Sequence, residues 1–345
     1  AHYSALLVEE GILAWLVAIL EAYQSPEVFD KCMESFFYLS QSKKNRREMV
    51  SSGIHHHFPK LFTLGSTDTR SYCLLMIGNL LSADLYHEKM ARDDIVSLML
   101  EMLDPSFPKQ FTAASYCICH LAQVAYSADV LVRNNVVNVI LRLLPLSPNR
   151  DANGYMWTLL VNLSNNHEYF VRMISEDNLV PEIYKEASAE EGELHVALSQ
   201  LSINLSNKTD LSDLLELNKI SLLVKSCKLL FSTAELHKDV CNVIRTTILT
   251  ALNNLAVNVP ACRVDVLGSD LIQLFEQAGF DDKNLNLKYA ALINIISNEE
   301  SCCLKLLESG VQRFLMTLQD KFNNDHDGKD VTASILHNMS LKRGT

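Results

Sequence analysis

The sequence predicts an all-α solenoid, a stack of three-helix repeats around one continuous core. Three observations carry this. A polar–aliphatic–small signature recurs eight times at a nearly constant interval. A residue able to adopt positive φ recurs in phase with it. The composition is rich in aliphatic residues and poor in breakers, with 48% hydrophobic residues, only 11 Gly and 8 Pro, and 8% aromatics. Many aliphatics and few turn residues suit stacked helices better than a β fold, and 345 residues are ample for a large core.

The signature ends an apolar helical run. It reads Tyr38-Leu39-Ser40, Asn79-Leu80-Leu81, His120-Leu121-Ala122, Asn162-Leu163-Ser164, Asn204-Leu205-Ser206, Asn254-Leu255-Ala256, Asn294-Ile295-Ile296 and Asn338-Met339-Ser340. Successive polar positions differ by 41, 41, 42, 42, 50, 40 and 44 residues. The second marker falls at Gly11, Gly53, Asp94, Asn135, Asn178, Asn218, Gly268 and Gly310. Gly, and less readily Asn or Asp, takes the left-handed conformation that lets one helix stop and the next begin.

In the first unit, Ile12, Leu13, Trp15, Leu16, Ile19 and Leu20 recur at helical intervals after the Gly11 turn. Pro26 opens the next helix, where its missing N–H costs little. Phe29, Cys32, Met33, Phe36, Phe37 and Leu39 form its buried stripe. Each unit therefore has a helix before the turn, a second after it, and a long third ending in the signature. The units fall at about 5–45, 46–86, 87–127, 128–168, 169–210, 211–260, 261–300 and 301–341, in a single solenoid over 1–345. The interval of 50 places about eight extra residues near 226–242, as a longer second helix or an extended loop.

With a period near 42 and three helices per unit, the turn marker and the Asn-Leu-Ser/Ala ending resemble the armadillo-repeat family over roughly residues 5–341. The resemblance implies a right-handed superhelix whose third helices line a concave groove. In family members that bind extended peptides, an Asn ladder in that groove bonds the partner's backbone. Here Asn79, Asn162, Asn204, Asn254, Asn294 and Asn338 occupy that place, with Tyr38 and His120 as the two replacements. An amide offers both donors and an acceptor for such contacts; equally, it could buttress a neighbouring helix end. The groove candidates are these six asparagines with Tyr72, Tyr116, Tyr155 and His120, tyrosine being a frequent interface anchor.

One turn before the signature lie Glu34, Leu75, Tyr116, Thr158, Gln200, Thr250, Ala290 and Ser334. The family's nuclear-import adaptors carry Trp there, among acids that seat lysines. No Trp occurs at these positions and only Glu34 is acidic, so a basic import signal is not the expected partner. The strongly basic groove of the catenin-like relatives is missing too.

The net charge of −11 argues against nucleic acid and anionic lipid as partners. Lys43, Lys44, Arg46 and Arg47 read as a solvated loop, as do the acids Glu186, Glu190, Glu191 and Glu193. Nine scattered cysteines fit buried thiols in a reducing, cytoplasmic setting, and no apolar run is long enough to span a membrane. The glycosylation patterns at the Asn-Leu-Ser strings follow from the repeat. His55-His56-His57 point in different directions on a helix and suit no metal. Cys117/Cys119 and Cys302/Cys303 lack zinc spacing, and no phosphate loop or nucleophile elbow is present. No catalytic residue, cofactor or metal is expected.

The expected function is a non-catalytic cytoplasmic scaffold or adaptor that holds a partner segment or helix along the groove. A structural subunit of a large cytoskeletal or ciliary assembly, or a regulatory module cut from a larger enzyme, are the alternatives. The last unit, ending without a capping helix, would leave Ile335, Leu336 and Met339 exposed, which favours a fragment or an assembly component.

Overall fold

The computed structural model describes residues 2–82, 86–166, 179–187, 194–207, 215–236, 240–322 and 326–341. Among them every regular element is a helix. The long helices that end the repeats are named here α1 (Pro26–Ser40), α2 (Thr67–Leu81), α3 (Pro108–Leu121), α4 (Arg150–Asn166), α5 (His195–Ser206), α6 (Cys241–Asn258), α7 (Lys283–Ser297) and α8 (His326–Leu341). The chain divides into two compact units, Ala1–Phe170 and Val171–Thr345. In the first, α1 to α4 pack each against the next. In the second, α5 to α8 do the same.

Local chemistry sets the helix starts. Pro26 is the first residue of α1, after an extended Ser25. The Ser66 hydroxyl caps α2 by accepting from the Thr69 N–H, and the Asp282 carboxylate caps α7 by accepting from Asn284 and Leu285. The expected α1 stripe is largely buried: Phe29, Met33 and Phe36 are fully covered, and Cys32 and Leu39 nearly so.

The turns follow the sequence marker in part. Gly11, Gly53, Asn135 and Gly310 are left-handed, with φ of 86°, 81°, 59° and 81°. Gly268 also has positive φ, at 52°, but its ψ of −162° puts it in a region essentially reserved for glycine. Asp94 and Asn218 do not fit the expectation. Asp94 lies inside the helix Asp93–Glu101; Ala91 and the extended Arg92 make that turn, and the Asp94 carboxylate accepts from the Arg92 guanidinium at 2.6 Å. Asn218 is the second residue of the helix Leu217–Thr233, which starts after an extended Glu216. At Asp94 the turn is thus made without a left-handed residue. Asn178 lies outside the described residues.

Leu217–Thr233 has 17 residues, against 7 to 11 for the corresponding helices of the other units. It buries Ile220, Leu223, Val224, Cys227, Leu230 and Phe231, and a 3₁₀ turn, Ala234–Leu236, follows.

Two other expectations are corrected. Lys43, Lys44 and Arg47 are exposed on the helix Lys43–Ser51, but Arg46 is 8% exposed. Its guanidinium donates to the Ser40 carbonyl at 2.9 Å and to the Ser82 hydroxyl, so it bridges two repeats. In α8, Ile335 and Met339 are buried because that side of the helix packs against α7; Leu336 is 41% exposed. The acidic cluster falls outside the described side chains. The cysteines are free thiols, all buried except the half-buried Cys241. No helix among the described residues is long and apolar enough to cross a membrane.

Candidate functional site

The signature has a structural role that explains its residue types. Its aliphatic residue enters the core at Leu39, Leu80, Leu121, Leu163, Leu205, Leu255 and Met339, which are buried, while Ile295 is half-buried. Serines at the helix ends turn back on their own helix, as Ser40 donates to the Phe37 carbonyl, Ser164 to Val161 and Ser206 to Ile203, at 2.6, 2.7 and 2.9 Å. The next repeat's asparagine then reaches back. The Asn79 amide donates to Ser40 Oγ at 2.9 Å, Asn162 to the Cys119 carbonyl at 3.1 Å, and Asn254 to Asn207 Oδ1 and Ser206 Oγ at 2.6 and 3.3 Å. In three units a residue of the short helix after the signature covers a further carbonyl. Asn45 donates to Leu39, the His87 ring bonds Leu81, and Arg263 donates to Ala256, at 3.0, 3.1 and 2.8 Å.

The other ladder residues stand as follows. Asn204 is 8% exposed and its Oδ1 accepts from Gln200 at 3.0 Å. The Asn294 Oδ1 accepts from Ser334 at 3.3 Å. The Asn338 side chain lies outside what is described. Of the positions one turn earlier, Ala290 is buried and does not share the face. Glu34 pairs with Lys31 at 2.9 Å, and Thr250 accepts from Lys288 at 2.7 Å.

In the first unit the structure brings the aromatic candidates together on the α1–α4 face. Tyr116 is the hub. Its hydroxyl donates to Asn79 Oδ1 at 3.3 Å, and its ring stands edge-on to Tyr155 at 5.2 Å and to His120 at 4.6 Å. The ring lies on the backbone of Gly78, where any Cβ would come within 2.3 Å of it. Tyr72 sits 5.7 Å from the Phe37 ring, and Phe37 is 5.4 Å from Tyr38, which is 56% exposed. A cavity of about 360 Å³ opens between α2 and α3, lined by Tyr72, Leu75, Thr112 and Ala113, with Asp68 and Lys109 at its rim.

Electrostatics keep this face neutral in its aromatic groups. Partial burial raises the phenols of Tyr72, Tyr116 and Tyr155 above the ordinary tyrosine range; Glu34 and Asp68 add to this at Tyr72, and Asp151 at Tyr155. Burial lowers His120 below the ordinary histidine range, so its ring is uncharged at neutral pH.

The sequence places Tyr38 at a ladder position and Phe37 in a buried stripe and gives Gly78 no role, so their grouping with Tyr72 and Tyr116 is not legible in it. A lone glycine inside the α2 pattern was the signal available, since it weakens a helix unless packing requires it.

In the second unit a cavity of about 760 Å³ lies between the helix Leu217–Thr233 and the turns near 268 and 309. Lys225, Lys228 and Lys305 are matched there by Asp265, Asp270 and Glu308, and Lys228 pairs with Asp270 at 2.8 Å. The lining carries no net charge. Among the described residues no cluster of three metal-ligating side chains occurs, and His55–His57 form a 3₁₀ turn.

No protein-family model matches the sequence, and no curated protein sequence matches it. Solved structures do. An engineered protein from a structural genomics consortium aligns with a TM-score of 0.79 over 98% of this chain and 81% of its own, at 15% identity. A chain from a study of a phosphorylation switch controlling the interaction between cadherin and beta-catenin aligns at 0.70, over 99% and 72%, with 14% identity. A computationally designed armadillo repeat protein for modular peptide recognition aligns at 0.60, over 70% and 99%, with 12% identity. The repeat read from the sequence is thus the armadillo-type α-solenoid fold.

Proposed function

We propose that this chain is a non-catalytic scaffold or adaptor that seats a segment of a partner protein on the α1–α4 face. The observation that carries the reading is one tyrosine on each of four consecutive long helices, Tyr38, Tyr72, Tyr116 and Tyr155, of which Tyr72 lines the cavity of about 360 Å³ between α2 and α3. Tyrosine supplies a large, stiff, amphipathic contact at low entropic cost. The similar solved structures concerned with peptide recognition and with a cadherin contact support this reading. The asparagines serve it indirectly: the Asn79 amide ties α2 to α1 and the Asn162 amide ties α4 to α3, which supports the tyrosines on those helices. Reduced, buried thiols support a cytoplasmic setting.

The test is selection of binders from a displayed random peptide library on the intact chain. Each binder is then measured on a Tyr72→Ala/Tyr155→Ala variant and on the matched Phe variant. Ligands that weaken about tenfold on the Ala variant and persist on the Phe variant support the face as the site. Equal binding to all three proteins refutes it.

A further inference from the structure

Resting on the reading of α1–α4 as a binding face, we infer that Arg46 is its anion site: the seated segment carries an aspartate or glutamate whose carboxylate meets this guanidinium. Three observations lead there.

The first is an unmatched charge. Two arginines among the described residues are more than nine-tenths buried, Arg46 at 8% exposure and Arg245 at 6%. A buried charge is costly unless an opposite charge meets it. Arg245 has the Glu235 carboxylate at 2.8 Å. Arg46 has no carboxylate among the described residues. Its Nε donates to the Ser40 carbonyl at 2.9 Å and its Nη1 to the Ser82 hydroxyl, both neutral acceptors. Its Nη2 makes no bond among the described residues and keeps contact with solvent.

The second is a comparison between repeats. Arg263 in the second unit holds the same place as Arg46, since its Nε donates to Ala256, the third residue of its signature as Ser40 is of its own. Arg263 also meets a carboxylate, Glu299 at 3.7 Å, just after the next signature. At Arg46 the exposed hydroxyl of Ser82 stands after the next signature instead. This repeat position thus accepts a carboxylate in addition to its carbonyl.

The third is where the charge is felt. Burial raises the Tyr116 phenol and lowers the His120 imidazole; Arg46 pulls both down, and no carboxylate acts on either. Elsewhere on the face Glu34 and Asp68 act on Tyr72, and Asp151 on Tyr155. The end of the face around Tyr116 and His120 is therefore its positive end. Lys43, exposed and one helical turn before Arg46, adds a second cation on that side. A guanidinium edge beside a hydroxyl donor suits a carboxylate, which accepts two parallel bonds.

The experiment uses the full chain and two displayed peptide libraries, random except at the central residue, which is glutamate in one and lysine in the other. The glutamate library should yield the binders. Glutamine in place of that glutamate should weaken each about tenfold, as loss of a charge-assisted bond does. On Arg46→Met, checked by helical circular dichroism, the glutamate and glutamine forms should bind alike. Arg46 also joins two repeats, so a second readout leaves the protein unaltered: an NMR titration of the His120 imidazole. The bound glutamate peptide should raise it relative to the glutamine form, because the carboxylate offsets the guanidinium. Binders drawn equally from the lysine library, indifference to glutamine, or no difference at His120 overturns the inference. Asp84, outside the described residues, follows Asn79 by five residues as Glu299 follows Asn294. If the glutamate preference appears only in Asp84→Asn, the chain supplies its own counter-charge and the inference falls. If binders depend on Tyr72 and Tyr155 but ignore the carboxylate, the inference falls and the face remains a binding site. If they depend on neither, both fall.

Discussion

Replacing Gly78 with alanine tests the packing that builds the aromatic face. A Cβ on Gly78 would lie 2.3 and 2.5 Å from two ring carbons of Tyr116, closer than carbon atoms approach. The half-buried ring must swing off α2. It then loses its bond to Asn79, worth ~1 kcal/mol, and part of its edge contacts with Tyr155 and His120, worth ~0.5–1.5 kcal/mol each. Alanine in a helix interior returns about 1 kcal/mol over glycine. The net expectation is a loss of about 1–2 kcal/mol for Gly78→Ala. In a Tyr116→Ala background the obstacle is gone, and the same change should stabilise by about 1 kcal/mol. Urea unfolding of the four proteins of this cycle reads the coupling, expected at ~2–3 kcal/mol. An effect of the same sign in both backgrounds would refute the claim that Tyr116 is why residue 78 is glycine.

Other consequences follow from single residues. Arg46→Ala should cost about 2 kcal/mol, because it removes two bonds from a buried guanidinium and orphans the Ser40 carbonyl; Lys43→Ala, three residues away and exposed, should stay within ~0.5 kcal/mol, so equal midpoints in urea would exclude the bridge. Gly268→Ala should destabilise by about 1–3 kcal/mol, since its φ of 52° is joined to a Cβ position 2.4 Å from Lys228 Nζ; adding Lys228→Met should recover only the steric part, and full recovery would count against backbone strain. Burial, with His56, Lys89 and Arg92 nearby, lowers His55 from 6.5 to about 4. The unfolded chain takes up this proton near pH 6.5 and the folded one near pH 4, so stability falls as pH drops through that window. His55→Gln should flatten the fall, and an NMR titration placing the imidazole near 6.5 would contradict the burial argument.

What the sequence made legible was what recurs. A left-handed turn leaves Gly or Asn at a fixed phase, so Gly11, Gly53, Asn135 and Gly310 could be read directly. Asp94 and Asn218 share the phase but not the conformation, because both lie inside helices that start after an extended residue, Arg92 or Glu216, and extended backbone leaves no residue-type mark. Arg46 was hidden in a basic run, although on a helix only one side of such a run meets solvent. The direction of the Asn79 amide depends on Ser40, 39 residues earlier, and no periodicity reports a bond across that distance.

The asparagine ladder makes the repeat visible because it recurs in six units, and at Asn79, Asn162 and Asn254 the amide sends a donor to the helix before. A group spent on joining repeats is poorly suited to choosing a partner. Selectivity then belongs to the positions where the pattern breaks. Two signature positions depart from asparagine, Tyr38 and His120, and both lie in the first unit. Both belong to the aromatic groups on that face, His120 against Tyr116 and Tyr38 against Phe37. Restoring asparagine there, as Tyr38→Asn with His120→Asn, should leave the fold standing, since asparagine is what the other units carry. It should also remove two of the rings that a partner would meet. Ligand binding that survives the double change undiminished, in a protein of unaltered melting temperature, would show that the departures carry no selectivity and that the remaining tyrosines suffice.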